Sequence, residues 1–213
     1  MDNASRSERT RNAILDAALT VIAREGAGRL TLDAIVRESG ISKGGLMHQF
    51  RSKELVLQAL LQRHSDHFAQ FKSDFLAANE AALPQPELAA QIAVLREGTT
   101  TGSSLFYALI GAAAEEPSRL ESMRAGIMQA LKKVDAETDN KDCAHLRLVA
   151  AWGLNLTTLL GLSPFSPEER ETLFDRLQDA QFWDGAGAKK TKPVKAEKTK
   201  PDTGKKPKPR AGR

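Results

Sequence analysis

TLDAIVRESGISKGGLMHQF, residues 31 to 50, decides how the rest of the chain is read. Thr31 stands where a side-chain oxygen would cap a helix start, and Gly40 where a left-handed residue would end it. Together they predict a short helix through Ser39. Ser42 repeats the capping signal and opens a third helix as far as His48 or Gln49. Two helices of one to two turns joined through Gly40-Ile41-Ser42 have the dimensions of a helix-turn-helix, in which the second helix enters the major groove of DNA. Ile35, Ile41 and Leu46 would form its small core. Ile14, Val21 and Ile22 would complete it from a preceding helix, expected from about Ser7 to Glu25 and stopped by Gly26 and Gly28. Ser39 is small enough to let the helices approach.

Charge placement in this stretch points the same way. Lys43 and Lys53 each fall at the first position of a helix, where the macrodipole disfavours a cation. An external phosphate there turns that penalty into binding, because backbone N–H groups and a lysine converge on one anion. Gly44 and Gly45 weaken a helix by roughly 1 kcal/mol each relative to alanine, and a backbone without side chains can lie close to DNA. Taken singly, each feature also fits a loose turn and ordinary solvated charge.

Working outward, apolar residues recur at three and four rather than at two, so the chain is expected to be all-α. Leu57, Leu61, His64, Phe68, Phe71 and Phe75 lie on one face of a long helix from after Ser52 to about Asn79. Pro84 and Pro86 break the chain before a helix of about Glu87 to Glu97. A loop from Gly98 to Ser103 leads to the apolar run Leu105 to Ala114, closed by Pro117. Ser118 with Glu121 has capping-box spacing and opens a helix carrying Leu120, Met123, Ile127, Leu131 and Val134. Ser166, Pro167 and Glu169 repeat the signature for a last helix through about Phe182. Between them, 143 to 162 is apolar nearly all the way round, and a helix without a polar face needs cover on both sides.

The formal charge of +4 is an average over three unlike segments. Residues 1–53 hold nine Lys and Arg against six Asp and Glu, a charge of +3; residues 54–188 hold eleven against nineteen, or −8; residues 189–213 hold eleven against two, or +9. The last segment has four prolines and no aromatic residue, so it is expected to be disordered. It either contacts phosphates without sequence preference or serves only as a solubility tail.

No run approaches the roughly 20 apolar residues of a membrane helix. The polar start MDNASRSERTR is no signal peptide, so a cytoplasmic protein without membrane contact is expected. The single cysteine, Cys143, excludes an internal disulfide and reads as a small buried residue. His64 and His67 lie three apart without an evident third ligand, and no metal or cofactor is expected. No GxSxG, phosphate loop, HExxH or paired acid/base constellation supports an enzyme.

Residues 9 to 55, containing RNAILDAALTVIAREG and then TLDAIVRESGISKGGLMHQFRSKELV, resemble the N-terminal domain of the tetracycline-repressor (TetR) family of bacterial transcription regulators. The resemblance implies a DNA-binding domain at 1–53, a helical effector-binding and dimerisation domain at 54–184, and the tail at 185–213. It implies that Thr31 anchors the first motif helix at the DNA backbone, that Ser42, Lys43, Gly44, Gly45, Met47 and His48 form the recognition surface, and that Lys53 binds phosphate. Met47 departs from the family's usual tyrosine and Gly45 from its common Thr or Ser. Both changes remove a hydrogen-bond donor and leave more of the affinity to salt-sensitive contacts.

For the body, the resemblance implies a cavity for a small hydrophobic effector. Candidate lining residues are His64, Phe68, Phe71, Phe106, Tyr107, Ile127, Trp152 and Asn155. It also implies a homodimer built from the last two helices, with Leu148, Ala151, Trp152, Leu159, Leu173, Phe174 and Leu177 at the interface. The function expected on this basis is a repressor that binds a palindromic operator as a dimer and is released by its effector. The alternative is an architectural DNA-binding protein dominated by its tail, with no ligand.

Overall fold

Local capping chemistry sets the helix boundaries. The computed structural model describes residues 3–79, 81–100 and 121–187, and every element among the described residues is helical. Helix α1 (Asn3–Glu25) stops where Gly26 turns to φ 86°, a backbone region open to glycine, and a 3-10 turn at Ala27–Arg29 follows. Helix α2 (Leu32–Ser39) is capped by Thr31, whose hydroxyl accepts from the Ala34 N–H at 3.0 Å, and ends at Gly40 with φ 67°. Helix α3 (Lys43–Gln49) is capped by Ser42, which accepts from the Gly45 N–H at 3.2 Å. Helix α4 (Lys53–Asn79) is followed by α5 (Pro86–Gly98), α6 (Glu121–Ala136), α7 (Lys141–Leu159), α8 (Pro167–Gln178) and α9 (Ala180–Gly187). The capping box at α8 forms in full, with Ser166 and Glu169 each accepting from the other's backbone N–H.

Two apolar clusters organise these helices. The first gathers Ile14, Ala18 and Val21 of α1, Leu30, Ile35 of α2, Leu46 of α3 and Val56 of α4, all fully buried. The second gathers Leu88 and Ile92 of α5, Val134 of α6, Ala144, Leu148 and Ala151 of α7, and Phe174 and Leu177 of α8. α4 starts in the first cluster and runs on to pack against α5, which also contacts α6, α7 and α8. α4 therefore joins the two clusters, packing on α1 at one end and α5 at the other. An ion pair of 2.8 Å between Arg63 of α4 and Asp16 of α1 adds a polar link.

Buried polar joints lock the second cluster. Gln85 precedes α5 without capping it, and the Glu137 carboxylate caps that helix instead, accepting from the N–H groups of Glu87 at 2.8 and 3.0 Å and Leu88 at 3.3 Å. The Gln85 side-chain carbonyl accepts from Arg147 Nη1 at 2.6 Å. Arg147 is 3% exposed and also donates Nε to the Leu177 carbonyl at 2.7 Å. Gly98 marks a close approach: a Cβ there would lie 2.7 Å from Asn155 Nδ2, which itself donates to the Leu95 carbonyl at 2.7 Å.

Two features of the helices differ from the sequence reading. The last helix does not continue to Phe182. It breaks at Asp179, in extended conformation, and Asp179 Oδ1 then accepts from the Phe182 N–H at 3.1 Å to start α9. Cys143 is half-buried rather than buried, because it lies in the first turn of α7, beside the cap supplied by Asn140. The apolar run Leu105 to Ala114, the Ser118 cap and the basic tail from 188 onward lie outside the described residues.

Candidate nucleic-acid interface and effector cleft

α3 has a buried side and an exposed side. Leu46 is fully buried, while Lys43, Gly44, Met47 and His48 face solvent. Positions 43 and 47, and 44 and 48, are each one turn apart, so the exposed residues share one face. The end of the helix is tied down. Gln49 Nε2 donates to Ser7 Oγ of α1 at 2.8 Å, and the next residue, Phe50, is buried beneath the Arg11 guanidinium at 4.6 Å. Sequence reasoning missed both ties; the polar residues at 7, 11 and 49 carry no periodic signal that joins them.

The other predicted DNA residues fall around this face. Thr31 and Ser42 are the exposed caps of α2 and α3, and Lys53 is the exposed first residue of α4, preceded by Ser52, whose hydroxyl accepts from the Leu55 N–H at 3.4 Å. Lys43 is not an isolated cation: its ammonium lies 3.1 Å from Asp33 Oδ1, with both side chains largely exposed. At such exposure the pair contributes little.

The two glycines differ. A Cβ on Gly44 would meet nothing within 4 Å, whereas one on Gly45 would lie 3.1 Å from Ile41 Cγ2 and 3.3 Å from the Ser42 hydroxyl oxygen. Gly44→Ala should therefore stabilise the fold by about 1 kcal/mol through helix propensity, raising the thermal midpoint by roughly 2–4 °C. It should also weaken DNA binding by placing a methyl group on the exposed face. Calorimetry and fluorescence anisotropy check the two effects, and a gain in both would show that Gly44 serves no close approach.

In the body, a cleft of about 440 Å³ lies between α4, α5, α6 and α7. Of the predicted effector residues it collects Phe68, Ile127 and Trp152. Phe71 lies elsewhere, in a separate cleft of about 300 Å³ with Phe75, Arg96 and Glu171, because it is three residues along α4 from Phe68 and faces the α5/α8 side. Asn155 is spent on the Leu95 carbonyl and holds α7 against α5 instead of lining the cleft. His64 is not part of the lining; its ring packs edge-on against Phe68 at 4.6 Å, and burial, with the nearby His67, lowers its pKa below the usual imidazole value. Phe106 and Tyr107 lie outside the described residues. No cluster of three metal-ligating side chains occurs among the described residues.

The predicted dimer residues need the largest correction. Leu148, Ala151, Phe174 and Leu177 are buried in the chain's own second cluster, so they have no surface to offer another copy. Trp152, Leu159 and Leu173 are half-buried. The exposed apolar residues of α7 lie on its opposite face: Leu146 is 64%, Val149 57% and Leu156 45% exposed, with Gly153 between them. No helix among the described residues is long and apolar enough to cross a membrane.

Two family models match the chain and together span more than half of it. One, described as bacterial regulatory proteins of the tetR family, covers residues 14–60; the other, described as the tetracyclin repressor-like C-terminal domain, covers 85–181. The HTH-type transcriptional regulator SrpR of Pseudomonas putida is 43% identical over 58 residues, which is 27% of this chain and 27% of that protein. The chain thus matches only about a quarter of that relative's length. The HTH-type transcriptional regulator BetI of Agrobacterium fabrum is 28% identical over 194 residues, covering 84% of this chain and 92% of its own. Among solved structures, a transcriptional regulator from Streptomyces coelicolor A3(2) superposes with TM-score 0.56 at 22% identity, covering 80% of this chain and 99% of that one. The multidrug binding protein EbrR complexed with malachite green gives 0.55 at 20% identity, covering 79% and 97%. At these identities the structural likeness establishes the fold. With a capped helix-turn-helix packed under its own core and both family models matched in order, the chain belongs to the tetR family of bacterial regulatory proteins.

Proposed function

We propose that the chain is a ligand-responsive transcriptional repressor that binds a palindromic operator as a homodimer and leaves it when a small hydrophobic molecule enters the body cleft. The observation that carries the reading is α3: Leu46 and the Gln49–Ser7 bond hold it in place while Lys43, Gly44, Met47 and His48 face outward together. Thr31, Ser42 and Lys53 stand at three helix starts beside that face, where phosphate is favoured. In this reading residues 1–53 read DNA and 54–184 bind effector and partner. A two-fold pair of heads calls for a roughly palindromic site.

The release mechanism uses α4. Phe68 lines the cleft, while Val56, Ala59 and Leu60 of the same helix are buried in the head cluster. An effector that prefers one position of α4 shifts the population of head orientations by its difference in affinity for the two states. Regulation of this kind needs no catalytic group, in keeping with relatives that are transcriptional regulators.

Footprinting of the intergenic DNA beside the coding sequence, with and without candidate effectors, tests the reading. A protected palindrome that ligand uncovers is expected, and protection of no defined site would overturn it. The same DNA measured at several salt concentrations, with the full chain and with a chain ending at Gly187, tests the architectural alternative favoured by the +9 tail. Removing the tail should flatten the salt dependence and leave operator preference intact. An unchanged slope removes the tail from the DNA contact; loss of preference favours the architectural role.

A further inference from the structure

The cleft has a charged end and an uncharged, mainly apolar end that also carries Ser65, and the contacts around it say which is which. Lys72 of α4 and Gln91 of α5 both bond Glu87, at the start of α5. Glu137, just beyond α6, caps that same start, which places the end of α6, including Lys133, there too. Lys72, Gln91 and Lys133 therefore meet at one end of the lining. Phe68 lies one turn before Lys72 on α4, Ile127 lies nearly two turns before Lys133 on α6, and Trp152 lies one turn beyond Leu148 on α7. These place the aromatic and aliphatic surface at the other end.

The two lysines and two glutamates at the charged end balance in number but differ in commitment. Glu87 is 6% exposed and its carboxylate is committed to Lys72 and Gln91, while that of Glu137 is committed to backbone N–H groups. No Asp or Glu lines this cleft among the described residues. Lys133 is exposed and has no ion-pair partner among the described residues. Aromatic faces such as those of Phe68 and Trp152 attract cations weakly on their own. Two lysines with no lining carboxylate among the described residues oppose a cation, and among those residues Lys133 is the cation that no carboxylate already pairs.

We infer that the cleft selects amphiphilic anions, with the anionic group at Lys133 beside Lys72 and Gln91 and the apolar body against Phe68, Ile127 and Trp152. The inference rests on this cleft being the effector site and adds the ligand class that the site takes.

Three probes with the same ten-carbon chain separate charge from greasiness: decanoate, 1-decanol and decyltrimethylammonium, titrated below their aggregation limits into the full chain by calorimetry. Decanoate should bind about 3- to 10-fold tighter than decanol, as for a partly desolvated ion pair, and the ammonium should bind weakest. Lys133→Gln should remove that margin for decanoate and leave decanol unchanged; as an exposed substitution it spares the fold. If decanol or the ammonium binds as tightly as decanoate, or Lys133→Gln leaves decanoate unaffected, anion selection is overturned while the cleft stands as the effector site. If none of the three binds, the effector-site reading falls and the inference falls with it.

Discussion

Replacing Leu146 and Val149 together with glutamate should turn the proposed homodimer into a monomer that binds the proposed operator at least roughly 100-fold more weakly, since joining two half-site contacts is worth that much in avidity. Leu146, Val149, Gly153 and Leu156 follow one another at steps of three, four and three along α7, which makes a single stripe. The opposite face, with Ala144, Arg147, Leu148 and Ala151, is buried within the chain. Burying one exposed Leu or Val is worth about 1.5–3 kcal/mol. In a two-fold pair each position counts twice, and with the three side chains already about half covered the stripe offsets a large part of the cost of association. A Cβ on Gly153 would meet nothing within 4 Å, so a second helix can approach closely at the stripe's centre. Two glutamates per chain remove four apolar contacts across the axis and set four like charges there. Light scattering coupled to size exclusion, with anisotropy on the operator, reads both effects. A variant that stays dimeric places the interface elsewhere.

The stripe also shows where sequence reasoning stopped. The all-round apolar character of 143 to 162 implies cover on two sides; within the chain one side is covered while Leu146, Val149 and Leu156 stay exposed, and periodicity cannot say which side faces the chain's own core. Of the expected interface residues Leu148, Ala151, Trp152, Leu159, Leu173, Phe174 and Leu177, the structure buries Leu148, Ala151, Phe174 and Leu177 internally and half-buries the other three. What decides the matter is α5: Leu88 and Ile92 take up the Leu148 face, and that pairing joins residues some sixty positions apart with no local signature.

The helix-turn-helix was legible for the opposite reason. Thr31, Gly40 and Ser42 act within three or four residues of themselves, and the Thr31–Ala34 and Ser42–Gly45 bonds are local chemistry. Ser166 and Glu169 were legible in the same way. Phe68, Ile127 and Trp152 of the effector group come together because α4, α6 and α7 border one cleft, Ile127 lining it from an exposed stretch of α6. Phe71 and Asn155 share the apolar or polar character expected of lining residues, but Phe71 turns to another cleft and Asn155 holds two helices together.

Arg147→Met should destabilise the fold by about 2–4 kcal/mol, because it leaves one buried and one half-buried acceptor without the donors Arg147 supplies. For a chain of this size that lowers the thermal midpoint by roughly 5–15 °C. Methionine keeps most of the side-chain volume, so the loss reports hydrogen bonding and charge more than packing. Replacing every partner in a buried ionic cluster by apolar groups is often neutral or stabilising. That escape is closed here, since one acceptor is the Leu177 backbone carbonyl, 2.7 Å from Arg147 Nε, and no side-chain substitution removes it. The other, Gln85 Oε1 at 2.6 Å, can be removed, and Gln85→Leu in the Arg147→Met background should recover part of the loss. Arg147→Lys keeps the charge but not the planar fork that reaches both acceptors, and should fall between wild type and Arg147→Met. Thermal and urea unfolding of the four proteins measures the series. A wild-type midpoint for Arg147→Met would mean that the joint between α5, α7 and the end of α8 is held by the surrounding Leu88, Leu148 and Phe174 packing alone.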